Sequence, residues 1–248
     1  HKTKGLSAGR LTMMALGTVI GGSFFLGSSV AIQAAGPAII LSYLICAVMV
    51  YFILFALSEM TVSNPDSASF RTFASQYINK GTGFVVGWVY WTGMVISMSS
   101  EATAVSLLFR TWFPTVSIPL LGTGLIVGVT LLNLLGAKQL SHLESVLSAI
   151  KIVAIIGFIL LGGLIVLGAL PGIRPLGNSI LRSEPFLPGG LKSLAGSMLI
   201  VLFTYAGFEI IGLAASETDN KEKNVPRAIH LTVFWLVTLY IPVSYTHL

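Results

Sequence analysis

Apolar positions in this chain do not alternate; they run. Runs of membrane-spanning length occur at Leu11–Ala34, Ala38–Leu57, Phe84–Phe109, Ser117–Gly136, Val146–Leu170 and Leu194–Ala215, and another starts near Leu231. About 20 residues cross the hydrocarbon core, so the pattern predicts six membrane helices and part of a seventh. Polar residues gather between the runs. Ser63–Arg71 is a turn-rich loop after the second run. Pro171–Lys192 is the longest connection on the other side, where Pro171, Pro175, Pro185 and Pro188 argue against a helix. Trp88, Tyr90 and Trp91 open the third run, where an aromatic belt is expected at the membrane surface.

Composition agrees with the pattern. Hydrophobic residues make up 54% of the 248 residues and charged ones 9%, with a mean hydropathy of +0.89. Soluble domains carry about 25% charged residues, so the expectation is an all-α integral membrane protein with a single transmembrane domain over 1–248. With the N-terminus in the cytoplasm, Lys2, Lys4, Arg10, Arg71, Lys80, Lys138, Lys221, Lys223 and Arg227 lie inside. Arg110, Arg174, Arg182 and Lys192 lie outside, and Lys151 stays in the membrane. That bias follows the positive-inside rule, so the net charge of +5 reports topology and not nucleic-acid binding.

The first run is too long for a cleavable signal peptide. A start at His1 and a stop within an apolar run lead to the expectation of a fragment of a longer protein. The single cysteine, Cys46, can form no internal disulfide. His142, His230 and His247 sit near span ends and read as interfacial. The sequence has no Cys/His cluster with metal spacing, no phosphate-binding glycine loop and no Ser/His/Asp set. Neither an enzyme nor a cofactor nor a metal site is expected.

Glycines interrupt the first run. In Leu16-Gly-Thr-Val-Ile-Gly-Gly-Ser-Phe-Phe-Leu-Gly27, Thr18 and Ser23 stand among Gly17, Gly21, Gly22 and Gly27. Glycine weakens a helix by about 1 kcal/mol relative to alanine, so Gly21-Gly22-Ser23 is where the helix opens most readily. Opened backbone in a bilayer is tolerated only against protein or a polar cavity, which makes the interruption a candidate binding site. The sixth run has a second such point at Ala206-Gly207, within Phe203-Thr-Tyr-Ala-Gly-Phe-Glu209. Small residues also serve helix packing. Broken helices in the first and sixth positions are, however, what inverted repeats of five spans predict.

Three ionisable residues fall well inside apolar runs: Glu101, Lys151 and Glu209. Charges at that depth face a cavity or a partner; the bland alternatives are a buried structural pair and, for Lys151, snorkelling to the surface. Glu144, Ser148 and Lys151 share one face of the fifth helix. Glu209 and Glu217, eight residues apart, share a face if the helix is intact between them.

These residues carry a resemblance. Thr18-Val-Ile-Gly-Gly-Ser-Phe-Phe-Leu-Gly-Ser28 resembles the Gly-Thr-Ile-Gly-Thr-Gly-Leu-Phe-Leu-Gly-Ser of amino acid permeases in the amino acid–polyamine–organocation superfamily. Leu57-Ser-Glu-Met60 is similar to the end of that family's second span. Pro65-Asp-Ser-Ala-Ser-Phe-Arg-Thr-Phe-Ala74 resembles its Pro-x-x-Gly-Ser-Phe-x-x-Tyr-Ala loop. Glu101-Ala-Thr-Ala104 and Lys151 resemble its third-span glutamate and fifth-span lysine. Phe208-Glu209, Ala214-Ala-Ser-Glu217, Asn220 and Pro226-Arg-Ala-Ile229 resemble its sixth span and the following loop. Two features depart from the pattern. Gly22 and Ser23 exchange the family's threonine and glycine positions, and Val243-Ser-Tyr-Thr-His-Leu248 does not resemble a continuing seventh span.

The resemblance implies a LeuT-type fold with 5+5 inverted repeats, of which this is the N-terminal part. It implies secondary transport of amino acids across a bacterial plasma membrane. The N-terminus of the outer half-helix, at Gly21, Gly22 and Ser23, suits the substrate carboxylate. Carbonyls around Ile20, Phe203 and Ala206 suit its ammonium. Thr18 and Gly207 belong to the same set; Phe203, Tyr205 and Phe208 supply apolar walls, with core packing as the alternative. Relatives that use sodium hold it between the first and eighth spans, and similarity to proton-coupled members implies that the Lys151 ammonium takes that place. Lysine can release a proton where arginine cannot. Glu101, Glu209 and Glu217 are the other candidates for proton handling or gating, and Glu209 also for binding a polar end of the substrate. The implied partners are an amino acid, a proton and the bilayer. Amino acid exchange, a non-transporting sensor and a channel stay open at this point, although two occluding breaks fit alternating access better than a pore.

Overall fold

The computed structural model describes residues 5–64, 69–134, 137–169 and 185–247, without the side chains of Leu26, 137–145, Leu213, Ser216, Thr246 and His247. Several expectations lie outside the described residues: Lys2, Lys4, Arg174, Arg182, the Pro65–Ala68 part of the loop motif, the long loop as far as 184, and the side chains of Lys138, His142 and Glu144.

The first run folds as two helices, α1 (Ala8–Val19) and α2 (Gly22–Ala35). Ser7 starts α1 by accepting the Arg10 N–H at 3.5 Å. Gly36, at φ +54°, and Pro37 then turn the chain into α3 (Ile39–Ser63). A short amphipathic helix, α4 (Phe70–Tyr77), follows, capped by Ser69. Next come α5 (Lys80–Phe109), capped by Asn79, and α6 (Ile118–Asn133), which has proline in its first turn. Then follow α7 (Ala137–Val166), α8 (Gly190–Thr204), the four-residue α9 (Ile210–Leu213) and α10 (Lys221–His247). Among the described residues the extended pairing is confined to one parallel bridge, Leu6 to Thr218.

Four helical stretches among these residues are long and apolar enough to cross a membrane: 22–63, Lys80–Phe109, Val146–Val166 and Lys221–Tyr245. Ile118–Asn133 and Gly190–Thr204 are apolar but shorter. The sixth run is short because it breaks at Thr204, not because its apolar residues end there. Helices α5, α7 and α10 start at Lys80, Ala137 and Lys221, ahead of the apolar runs that mark them. Hydropathy registers only the part in hydrocarbon, while helical hydrogen bonding continues into the polar interface. At the other end α10 stays helical through Pro242 as far as His247, against the expectation for Val243–Leu248.

The core lies where the broken spans meet α3 and α10. Leu16, Ile20 and Phe24 from the first span, Tyr43 and Leu54 from α3, Tyr205 and Ile211 from the sixth, and Leu236 and Tyr240 from α10 are buried together. Polar bonds cross this core, Ser42 to Ser197 at 2.7 Å and Ser28 to Tyr43 at 2.9 Å. Such bonds have no water to compete with them in a bilayer. The faces of α5 and α7 are the reverse: Trp88, Val89, Ile96, Ile150, Val153 and Leu160 are exposed. Apolar surface on this scale suits lipid or further protein.

Candidate functional site

The first break begins where α1 makes its last helical bond, from the Ile20 N–H to the Leu16 carbonyl at 3.0 Å. Ile20 and Gly21 are extended, and α2 starts afresh at Gly22. A helix end leaves carbonyls without donors, and a helix start leaves N–H groups without acceptors. Both sets find partners on distant spans. Lys151 Nζ donates to the carbonyls of Gly17 and Ile20, each at 2.8 Å. The Ser23 N–H donates to Glu101 Oε1 at 2.9 Å. The ammonium thus sits at the C-terminal end of α1 and the carboxyl group at the N-terminal end of α2, each on the side its helix dipole favours.

Glycine is required for the second contact. A Cβ at Gly22 would lie 2.5 Å from Glu101 Oε2, and one at Gly21 would lie 3.3 Å from Oε1. One turn before Lys151 on α7, Ser148 packs against Gly17 in the same way.

The second break follows Thr204. Gly207 takes φ +98°, a region that L side chains resist, and its N–H donates to Glu209 Oε2 at 3.1 Å. Tyr90 on α5 donates its hydroxyl to Glu209 Oε1 at 3.3 Å. The two breaks touch: a Cβ at Gly207 would meet Thr18 Cγ2 at 3.0 Å and the Thr18 carbonyl oxygen at 3.2 Å.

Between them lies a cavity of about 740 Å³, within the range of small-molecule sites. Thr18, Val19, Gly21 and Ser23 line one side, and Phe203, Ala206, Gly207, Glu209 and Ile210 another. The third wall is a stripe of α5: Tyr90, Gly93, Ser97 and Glu101, joined by Val89 and Met94. Two carboxyl groups and broken backbone therefore face a largely apolar space.

Not every expected residue lines it. Ile20 is fully buried beneath the break, and its carbonyl, expected to face a substrate ammonium, holds Lys151. Gly22 meets Glu101 without lining the cavity. Tyr205 is 1% exposed and turns into the core, where its hydroxyl donates to the Tyr43 carbonyl at 3.3 Å. Phe208 packs on the core from its edge. Lys151 is not among the residues that line the cavity and instead holds the Gly17 and Ile20 carbonyls. Glu217 is exposed, and its carbonyl accepts the Leu6 N–H at 2.9 Å. It shares no continuous helix face with Glu209, because α9 gives way to a 3-10 turn at Ala214–Glu217.

The α5 wall was the residue set missed in the sequence. Tyr90 reads there as part of an aromatic belt with Trp88 and Trp91; it is exposed like them, but its hydroxyl donates to Glu209 and it lines the cavity. Stepping back from Glu101 by helical spacings, to Ser97, Gly93 and Tyr90, finds the stripe.

A profile of the amino acid permease family matches residues 10–247. The chain is 36% identical over 246 residues to the gamma-aminobutyric acid permease of Escherichia coli (strain K12), covering 97% of this chain and 53% of that protein. It is 36% identical over 239 residues to the lysine-specific permease LysP of the same organism, with coverages of 95% and 48%. Its identity to the aromatic amino acid transport protein AroP, also of that organism, is 32% over 238 residues, with coverages of 96% and 52%. The chain spans about half the length of these curated relatives. With that match running across both interrupted spans and the lysine-bearing α7, the chain belongs to the amino acid permeases of the amino acid–polyamine–organocation superfamily.

Proposed function

We propose that the full-length protein is a secondary amino acid transporter of LeuT-type fold, built on 5+5 inverted repeats, that works by alternating access in a bacterial plasma membrane with its N-terminus in the cytoplasm. The observation that carries this reading is the shared cavity between two interrupted spans, with Lys151 and Glu101 on the two backbone ends of the first break. A zwitterion leaving water needs partners for both charges. The α2 N-terminus suits its carboxylate and the carbonyls near Ala206 its ammonium.

Glu101 stands on the anion site itself. Protonation of Glu101 weakens its hold on the Ser23 N–H and frees the positive helix end for the substrate carboxylate. Proton entry and substrate entry then favour each other, which is the linkage that proton symport requires. Lys151 holds the last carbonyls of α1 while charged and releases them when neutral, which couples a second proton site to movement of the inner half-helix. Glu209, tied to Tyr90 and to the Gly207 N–H, lets one proton site reach the second break as well.

The test is uptake by the full-length protein in proteoliposomes, with labelled gamma-aminobutyrate, lysine and aromatic amino acids as the first panel, chosen from the relatives' substrates. The expected result is accumulation above the outside concentration when the outside is made acidic, abolished by a protonophore. Accumulation only into vesicles preloaded with amino acid would replace symport by exchange, and binding without uptake would make the protein a sensor.

A further inference from the structure

Where α8 ends at Thr204, the Leu202 and Phe203 carbonyls still accept from the Tyr205 and Ala206 N–H groups, whereas the Thr204 carbonyl loses its helical donors. In a bilayer interior no water replaces them. The Thr204 carbonyl accepts instead from the Tyr240 hydroxyl, 3.1 Å away on α10. The ring of the same tyrosine stacks on Phe24, with centroids 4.0 Å apart and planes 11° from parallel. Phe24 directly follows Ser23, whose N–H is held by Glu101. Tyr240 is 0% exposed, so both contacts are made in the dry core. One side chain from outside the cavity therefore grips the chain at both breaks, the hydroxyl on the sixth span and the ring on the first.

We infer that Tyr240 is a positioning residue that clasps the two interrupted spans together and fixes the shape of the cavity between them. The clasp rests on the reading of that cavity as the substrate site. Neighbouring tyrosines do not duplicate it. Tyr43 and Tyr205 also pack on the Tyr240 ring, but the Tyr43 hydroxyl meets the side chains of Ser28, Thr204 and Ser244, and Tyr205 donates to the Tyr43 carbonyl. Neither hydroxyl reaches a carbonyl freed by a break.

The test compares Tyr240→Phe with Tyr43→Phe in the full-length protein. Each keeps a buried ring and loses one hydroxyl. Two quantities are read: amide hydrogen exchange of the segment 203–211, followed by mass spectrometry, and the KM and maximal rate of amino acid uptake. Tyr240→Phe should speed exchange in 203–211 about tenfold and raise KM about tenfold, with the maximal rate nearly unchanged, as loss of one buried hydrogen bond allows. Tyr43→Phe, which loses a contact with the Thr204 side chain but leaves the Thr204 carbonyl its donor, should move both by clearly less. Exchange and KM in Tyr240→Phe that match the parent, or that move no more than in Tyr43→Phe, would overturn the clasp. If no variant and no parent transports amino acids, the exchange data alone decide for or against the clasp, and the transport reading falls separately.

Discussion

Replacing Gly207 by alanine asks the second break for a conformation that an L side chain resists. At φ +98° the added methyl group carries a backbone cost of about 1–2 kcal/mol. It also arrives 3.0 Å from Thr18 Cγ2 and 3.2 Å from the Thr18 carbonyl oxygen, so α1 must shift or the two breaks must part. Overpacking of this kind costs at least about 1 kcal/mol. The sum, about 3 kcal/mol, corresponds to roughly a hundredfold loss of substrate affinity if the strained break is the binding-competent one. Equilibrium binding of labelled amino acid to the purified full-length protein measures this, with thermal stability as a parallel reading. Gly196→Ala is the control. Gly196 lies in α8 with ordinary backbone and nothing within 4 Å of a Cβ. There the change should leave affinity unaltered and add up to about 1 kcal/mol of helix stability. Affinity of Gly207→Ala within threefold of the parent would refute the reasoning, because it would mean that neither the φ angle nor the contact with Thr18 matters to binding.

Two further substitutions address the charges. Lys151→Arg keeps a cation near the Gly17 and Ile20 carbonyls but one that does not deprotonate, so accumulation driven by a pH gradient should be lost while binding persists. Concentrative uptake by that variant would remove Lys151 from the coupling mechanism. Glu101→Gln keeps an oxygen for the Ser23 N–H and removes one titratable group, so the pH profile of uptake should change while the part carried by Lys151 stays. A pH profile like the parent's would rule out Glu101 as a coupling site.

Much of this arrangement is legible in the chain. The spans follow from apolar runs, since a bilayer demands length and hydrophobicity from each span independently of its neighbours. Both breaks are marked by small residues, and Glu101, Lys151 and Glu209 announce themselves by lying where charge is costly. The misassigned residues have a common cause. Tyr90 and Tyr205 are aromatic residues on membrane helices, and sequence spacing alone does not tell a belt, a wall and a core apart. One faces the cavity and the other the core because of which helices pack beside them.

The sequence by itself therefore determined the class of protein, the places where its helices break and the residues whose charge needs an explanation. These are properties of a segment in hydrocarbon, set by local composition. Only the tertiary structure decided which distant group completes each broken end. Ser23 meets Glu101 across 78 residues, and Gly17 meets Lys151 across 134. A freed carbonyl or N–H demands a partner without specifying one, and helix packing chooses it by bringing one side chain within about 3 Å.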